Sequence, residues 1–264
     1  MVKPLRHLPG SREPVTDRRR WLISDIDGTL TGSDEALRQL AAHLEQDPTL
    51  GFGVASGRSP QLVAQAVAGF SLPEPELVIA SVGSEISGAG RSWADWPPEA
   101  ARGSFHPARI RSVLAGVEGI SPQGPEGQAA WKLSFTGSAA AASEARRQLR
   151  AAGLAATLIH SADRYLDVLP EGVSKGTAVR FFSSTCGVPL DDIVVAGDTG
   201  NDLDLLTCGA RAVLVANHAE ELSGLRTDPR VYAARGAHAA GVLEGLLHHF
   251  GGTVRTAANP GRNA

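Results

Sequence analysis

Short apolar runs alternate with helix-like stretches along most of this chain. The apolar runs that indicate buried strands are 21–25, 53–55, 77–80, 193–196 and 212–215. The stretches that indicate helices are 34–45, 60–68, 175–186, 201–208 and 239–249. Because strands that alternate with helices form parallel sheets covered on both faces, the pattern predicts an α/β fold built on one such sheet.

A long interruption separates the third and fourth of these strands. It contains its own strand candidates and one helix candidate, at 131–135, 156–160, 166–169 and about 138–152. We therefore predict a core made of residues 21–82 and 171–251, with residues 83–170 inserted as a separate α/β domain. The flanks 1–20 and 252–264 are expected to be flexible tails.

The first strand runs directly into two carboxylates. Asp25 and Asp27 follow the apolar run and precede a Gly-Thr turn. Open α/β sheets bind ligands at the carboxyl ends of their strands, and alternate residues of a strand point the same way. Two carboxylates this close repel, so the spacing invites a cation between them or a proton on one of them. Read alone, Asp-x-Asp-Gly-Thr also fits an ordinary polar turn.

A second acidic strand end lies far downstream. The run 193–197 leads to Asp198, and Asn201 and Asp202 open the next helical stretch. Hard oxygen ligands from two strand ends suit Mg²⁺, which prefers carboxylates, water and phosphate oxygens. A helix-capping turn explains this second motif on its own. The occurrence of two such acidic strand ends in one chain favours a metal site.

Two further elements fit a phosphate site beside that metal. Ser56 and Gly57 follow the second strand, where a hydroxyl, a backbone N–H and a helix N-terminus favour an anion. Lys175 stands at the start of a predicted helix, where it opposes the helix dipole unless it faces an anion. A solvated surface lysine is the alternative for Lys175 alone.

These four elements, in this order, resemble the haloacid-dehalogenase superfamily of phosphohydrolases over residues from about 21 to 250. The resemblance implies a Rossmann-like core with a parallel sheet and an inserted α/β cap over the site. It implies phosphoryl transfer through an aspartyl-phosphate, with Asp25 as nucleophile and Asp27 as the acid and base. Because the dehalogenases of the group lack the second acid, Asp27 argues against carbon–halogen chemistry.

The resemblance also implies a Mg²⁺ cofactor. Asp25, the backbone carbonyl of Asp27 and Asp198 would hold the ion, and Asp202 and Asn201 would support it. Phosphate contacts would come from Ser56, Gly57, Lys175 and Asn201, which neutralise or bind the phosphoryl oxygens.

The cap and its flanks narrow the resemblance. Segments 80–86, 131–132, 167–170 and 239–242 are similar to sucrose-phosphate phosphatases and mannosylfructose-phosphate phosphatases. The implied substrate is a fructose-containing disaccharide phosphate. Polar residues suited to its hydroxyls are Arg58, Gln61, Glu85, Lys132, Ser161 and Asp163. Glu85 also fits a role in orienting a hairpin, and Lys132 a surface ion pair.

Composition is that of a soluble globular protein and argues against several other classes. The 264 residues are 42% hydrophobic with a net charge of −3, so nothing indicates affinity for nucleic acid. No apolar run approaches the length of a membrane span, and the N-terminus lacks the apolar segment of a signal peptide. The two cysteines have no partner motif and are expected to be reduced, which predicts a cytoplasmic location.

Two other functions remain open at this stage. Sugar phosphomutases of the same superfamily share the cap type and both acids of the first motif, and release of inorganic phosphate would separate them from phosphatases. A non-catalytic partner of a sugar-phosphate synthase is the other alternative, although each motif residue that catalysis needs is present. Association with such a synthase is an expectation from the resemblance alone.

Overall fold

The computed structural model describes residues 20–251, so both predicted tails, apart from Arg20, lie outside the described residues. The strands are β1 (Arg20–Ser24), β2 (Leu50–Ala55), β3 (Leu77–Ala80), β4 (Glu85–Gly88), β5 (Ser121–Pro122), β6 (Leu133–Thr136), β7 (Ala156–Ser161), β8 (Tyr165–Pro170), β9 (Ile193–Gly197), β10 (Arg211–Leu214) and β11 (Val231–Ala233). The α-helices are α1 (Asp34–Gln46), α2 (Pro60–Gly69), α3 (Glu99–Ser104), α4 (Pro107–Leu114), α5 (Ala139–Ala151), α6 (Lys175–Cys186), α7 (Leu203–Leu206) and α8 (His238–Phe250).

The core is one seven-stranded sheet in the order β11-β10-β9-β1-β2-β3-β4. All neighbouring strands are parallel except β4, which runs antiparallel to β3. Strand β1 lies in the middle, where Trp21 pairs with Gly51 on one side and with Ile193 on the other. The predicted α/β class with a mostly parallel sheet is confirmed.

Helices cover both faces of this sheet, because alternate residues of the buried strands point to opposite faces. Leu22 belongs to the cluster that contains Leu40 of α1 and Leu246 of α8. Trp21 and Ile23 belong to the cluster on the other side, with residues of α6 and α7. This double covering buries both faces of the central strands.

The inserted region forms a second sheet, in the order β5-β6-β8-β7, with antiparallel pairing throughout. Helices α4 and α5 pack on it through a cluster that includes Ile110, Leu149 and Phe135. This sheet and these two helices, residues 107–170, are called the cap below.

Segment 85–98 contacts the core, although the sequence predicts that the insertion begins at residue 83. Strand β4 completes the hairpin β3–β4 at the edge of the core sheet, with Glu85 opposite Ala80. After it, Trp93 and Trp96 pack against aromatic side chains of α6. The chain therefore leaves the core only after these contacts, and Glu85 lies in the core sheet, not on the cap.

The helix predicted at 201–208 is shorter than expected. A 3₁₀ turn at Gly200–Asp202 leads into the four-residue helix α7, which ends at Leu206. A capping box fixes this turn, because the Thr199 side chain accepts from the N–H of Asp202 and the Asp202 side chain accepts from the N–H of Thr199. The turn holds Asn201 and Asp202 close to the end of β9.

Candidate active site

Three catalytic candidates lie directly after three adjacent strands. Asp25 follows β1, Ser56 follows β2 and Asp198 follows β9. Parallel neighbours end at the same edge of a sheet, so the backbone alone brings these residues together. All three side chains are buried.

Lys175 links the acidic residues at this edge. Its Nζ donates to Asp25 Oδ1 at 2.7 Å, to Asp202 Oδ1 at 2.8 Å and to Asn201 Oδ1 at 2.9 Å. Burial lowers the pKa of Lys175, but Asp202 and Asp25 outweigh burial and raise the pKa above its ordinary value. The ammonium therefore stays charged, and the alternative of a solvated surface lysine is wrong.

A capping box places Lys175 there. The Ser174 hydroxyl accepts from the N–H of Thr177, and the Thr177 hydroxyl accepts from the N–H of Ser174. Lys175 is thus the first residue of α6, and its side chain is 0% exposed. A second contact, from the Ser174 hydroxyl to Asp204, ties the start of α6 to α7.

Three carboxylates meet beside this lysine. One oxygen from each of Asp25, Asp198 and Asp202 lies within 4.8 Å of the others. Burial raises the pKa of Asp25 well above its usual range, and burial with the Asp202 charge raises the pKa of Asp198 to about 6. One ammonium does not balance three carboxylates, so this set of hard oxygen donors fits a divalent cation such as Mg²⁺.

Asp202 differs from the other two acids in its hydrogen bonds. Its Oδ1 accepts from Lys175, and its Oδ2 accepts from the N–H groups of Asp198 and Thr199 at 3.1 and 3.2 Å. Both oxygens are therefore already used. This geometry favours the supporting role that the sequence suggested for Asp202 over direct ligation.

The turn after β1 is held by contacts with Asp198 and with two side chains from later in the chain. Gly28 has φ +80°, and a Cβ there would lie 2.3 Å from Asp198 Oδ2, so only glycine fits. Its carbonyl accepts from Asn217 Nδ2 and from His238 Nδ1, both at 2.7 Å. Nothing in the sequence pattern reveals the contact from His238.

Asp27 differs from the three buried acids in its exposure and in its partner. Its carboxylate is 52% exposed and accepts two hydrogen bonds from Arg58, from Nε to Oδ2 and from Nη2 to Oδ1, both at 2.7 Å. The Asp27 side chain therefore lies in the exposed part of the cavity lining, beside Arg58.

Ser56 lies on a loop with a fixed backbone. Its N–H donates to Ile79 O and its carbonyl accepts from the N–H of Val82. Val82 and Ser81 both have positive φ, 59° and 52°, which is rare for non-glycine residues and concentrates at functional sites. The Ser56 hydroxyl accepts from the N–H of Arg58 at 3.2 Å.

A cavity of about 540 Å³ lies between this sheet edge and the cap. Of the residues chosen from sequence, it is lined by Asp25, Asp27, Gly57, Arg58, Lys132, Ser161 and Asn201. Ser56, Lys175, Asp198 and Asp202 are buried and do not line it. The volume is sufficient for a small organic ligand.

Three of the residues suggested for sugar contact lie elsewhere. Gln61 and Asp163 are exposed and do not line the cavity. Glu85 accepts from the Ser81 hydroxyl at 3.0 Å, which supports the alternative that it orients the β3–β4 hairpin. Asp163 lies in a turn with φ 47° between β7 and β8.

Sequence reasoning missed several cap residues that line the cavity, namely Gln123, Glu126, Ser134, Tyr165 and Asp167. Ser134 and Asp167 are opposite each other in the β6–β8 pairing, and the Ser134 hydroxyl donates to the Asp167 carboxylate. The alternation of polar residues at 132 and 134, and again at 165 and 167, is the signal that could have revealed one polar face.

Lys132 connects this polar face to the core. Its Nζ donates to Gly57 O at 2.9 Å and lies 3.8 Å from Asp167 Oδ1. Burial lowers the pKa of Lys132 despite the opposing charges of Asp167 and Glu85, and burial raises the pKa of Asp167. The side chain is only 5% exposed, so a surface ion pair does not describe it.

The fold and this site together define a haloacid-dehalogenase-type phosphatase. A sequence model described as "Sucrose-6F-phosphate phosphohydrolase" matches residues 18–251. The chain therefore belongs to the sucrose-6F-phosphate phosphohydrolase family, and it is a phosphoric monoester hydrolase.

Individual relatives agree with this family. The chain is 33% identical over 240 residues to the mannosylfructose-phosphate phosphatase of Agrobacterium fabrum, covering 87% of this chain and 96% of the relative. The sucrose-phosphatase of Synechocystis sp. PCC6803, solved with sucrose and phosphate, has a TM-score of 0.83 at 28% identity and covers 88% of this chain and 98% of its own. A glucosylglycerol-phosphate synthase of Pseudomonas anguilliseptica is 28% identical over 233 residues, which cover 86% of this chain and 30% of the synthase.

Proposed function

We propose that this chain is a Mg²⁺-dependent phosphatase that hydrolyses a phosphorylated fructose-containing disaccharide, sucrose 6-phosphate or mannosylfructose phosphate. The observation that carries the proposal is the buried Lys175, which is bonded to Asp25, Asn201 and Asp202. Of these partners, Asp25 and Asn201 line the cavity between the sheet edge and the cap. This arrangement holds the Asp25 carboxylate at the wall of the cavity, within reach of a bound phosphoryl group. The similarity to a mannosylfructose-phosphate phosphatase and to a sucrose-phosphatase supports a disaccharide phosphate as the substrate.

The first half of the reaction transfers the phosphoryl group to the protein. A carboxylate oxygen of Asp25 attacks phosphorus, and the bond from phosphorus to the sugar oxygen breaks. The electron pair of that bond stays on the sugar oxygen, which takes a proton from Asp27. The products are an aspartyl-phosphate at Asp25, an ionised Asp27 and the free sugar.

The second half returns the protein to its starting state. Asp27 removes a proton from a water molecule, whose oxygen attacks phosphorus. The bond from phosphorus to the Asp25 oxygen breaks, which restores the carboxylate and releases inorganic phosphate. Lys175 and the residues at the end of β2, Ser56 and Gly57, offset the charge of the phosphoryl oxygens through both steps.

The residues present fit a Mg²⁺ site. Asp25 and Asp198 would ligate the ion with the backbone carbonyl of Asp27, and Asp202 and Asn201 would hold these ligands in place. When bound, the ion supplies additional positive charge to the phosphoryl oxygens. The raised pKa of Asp198, caused by burial and the Asp202 charge, is the mark of a carboxylate group that lacks sufficient counter-charge.

Phosphate release measured with and without Mg²⁺ tests the proposal. The substrates are sucrose 6-phosphate, mannosylfructose phosphate, fructose 6-phosphate, glucose 6-phosphate and trehalose 6-phosphate. We expect strong preference for one of the first two, and loss of turnover in EDTA. Equal rates on the monosaccharide phosphates would refute the disaccharide assignment, and no release from any of the five would refute the phosphatase.

The nucleophile is tested separately. Asp25→Asn should abolish turnover while the protein stays folded, because the amide is a poor nucleophile. Asp191→Asn, an exposed acid paired with Arg230, is the matched control and should retain the wild-type rate. Near-wild-type turnover by Asp25→Asn would show that another group attacks phosphorus.

The cellular setting is part of the proposal. Within residues 20–251 the structure contains no helix long and apolar enough to cross a membrane. Cys186 and Cys208 are both free thiols, which supports a reducing, cytoplasmic location.

The similarity to one part of a sugar-phosphate synthase supports association with such an enzyme. Co-elution of the two purified proteins in gel filtration would test that association, and separate elution at micromolar concentration would contradict it.

A further inference from the structure

Arg58 holds the proposed acid of the reaction by both of its oxygens. The Nε and Nη2 atoms donate to the two Asp27 oxygens at 2.7 Å each, the parallel two-bond geometry that a planar guanidinium forms with a carboxylate. Among residues 20–251 the structure shows no other hydrogen-bond partner for the Asp27 side chain. Without Arg58, a carboxylate that is 52% exposed would be free to change rotamer.

The backbone that carries Arg58 is anchored on both sides. The Arg58 carbonyl accepts from the N–H of Ser81 at 2.7 Å, and the Ser56 carbonyl accepts from the N–H of Val82 at 3.0 Å. The carbonyl between them, at Gly57, accepts from the cap residue Lys132. Three successive carbonyls are thus fixed, so Arg58 projects from a rigid platform.

We propose that Arg58 is a positioning residue for Asp27 rather than a ligand of the sugar. The inference rests on the proposed function. In the reacting complex one Asp27 oxygen keeps its bond from the guanidinium, and the other carries the proton toward the leaving sugar oxygen. A fixed carboxyl group delivers that proton at hydrogen-bond distance, which is the condition for efficient acid catalysis.

Leaving-group dependence provides one test. Phenyl phosphate and 4-nitrophenyl phosphate carry similar rings. The leaving group of phenyl phosphate is more basic than 4-nitrophenolate and therefore depends far more on a proton from the acid. Because kcat/KM reports phosphoenzyme formation, Arg58→Ala should lower kcat/KM for phenyl phosphate at least ~10-fold more than for 4-nitrophenyl phosphate. Arg58→Lys keeps a positive charge but lacks the planar two-bond geometry of the guanidinium, so it should lose less than Arg58→Ala. Arg38→Ala, on an exposed pair with Glu35, is the control and should change neither value.

A double-mutant cycle on the sugar phosphate that the wild type hydrolyses provides the second test. If Arg58 acts through Asp27, Arg58→Ala should cause no more than a ~2-fold further loss of kcat/KM in an Asp27→Asn background. Thermal unfolding of each variant shows whether the platform is intact.

The outcomes separate the possibilities. Equal loss on both aryl phosphates, or losses that multiply in the cycle, would mean that Arg58 contacts the substrate directly and would overturn the inference. Unchanged kinetics in Arg58→Ala would also overturn it. If the wild type releases no phosphate from any sugar phosphate, the proposed function itself fails, and the inference fails with it.

Discussion

Removing the ammonium of Lys175 should destabilise the metal-free protein strongly. The Nζ atom lies 2.7 Å from Asp25 Oδ1 and 2.8 Å from Asp202 Oδ1, and the side chain is fully buried. At an effective dielectric constant of about 20, each contact contributes a gross attraction of ~6 kcal/mol, much of which the desolvation of the ions cancels. Breaking a buried pair by removing one partner typically costs ~3–5 kcal/mol, since the remaining charges stay buried without compensation.

Lys175→Met keeps the apolar stem and removes the charge, so we expect a loss of about 4 kcal/mol in the free energy of unfolding at pH 7. For a chain of this size that loss corresponds to a fall of ~8–16 °C in Tm. Guanidinium unfolding in EDTA, followed by circular dichroism, measures the free energy directly. The loss should shrink toward pH 5, because the pKa of Asp25 and the pKa of Asp198 are already raised and protonation relieves their repulsion.

Arg38→Met is the control for this experiment. Arg38 is an exposed cation that pairs with Glu35 on α1, and its removal should change the free energy of unfolding by less than ~0.5 kcal/mol. If Lys175→Met lost less than ~1 kcal/mol, the reasoning that the lysine neutralises a buried acidic cluster would be refuted.

Three other results are expected. Burial and a neighbouring carboxylate raise the pKa of Asp198 to about 6, so protons compete with Mg²⁺ at lower pH. Calorimetry should show the affinity for Mg²⁺ falling by up to ~10-fold per pH unit well below pH 6. An affinity that stays the same from pH 5 to pH 8 would contradict this. Gly28→Ala should lower kcat at least ~100-fold in phosphate-release assays, because its Cβ would lie 2.3 Å from a carboxylate oxygen of Asp198. Gly153→Ala, with φ +65° and open space around it, carries the backbone strain alone and should keep normal kcat. Lys132→Met should raise KM for the sugar phosphate ~10-fold in steady-state kinetics, since it breaks the bond between cap and core; an unchanged KM would show that this bond does not matter.

The core and its acidic edge were predictable because local patterns determine them. The short apolar runs before Asp25 and Asp198 form strands that are buried on both faces of a parallel sheet. The residue that follows such a strand lies at the carboxyl edge of the sheet. Asp25, Ser56 and Asp198 lie together because each follows one of three adjacent parallel strands, and Lys175 contacts this edge from the start of α6.

The cap side of the cavity was harder to predict, because it depends on register. Ser134 and Asp167 meet only because β6 and β8 pair with those two residues opposite each other, and nothing local in either strand sets that pairing. Strand β4 was missed for a similar reason. Its four residues, Glu85–Gly88, have no strong strand pattern and become a strand through pairing with β3. Glu85 was therefore assigned to the wrong unit.

The central position of β1 has a consequence for synthesis of the chain. Its pairing with β2 is local, but its other edge pairs with β9, where Trp21 meets Ile193. At roughly 5–20 residues per second of translation, that edge waits on the order of ten seconds for its partner. During this interval the nascent chain presents an apolar unpaired strand, which is open to chaperones and to aggregation alike. Lys175 lies 150 residues after Asp25 in the chain, so a ribosome-bound precursor that already contains Asp25 still lacks Lys175 and Asp198.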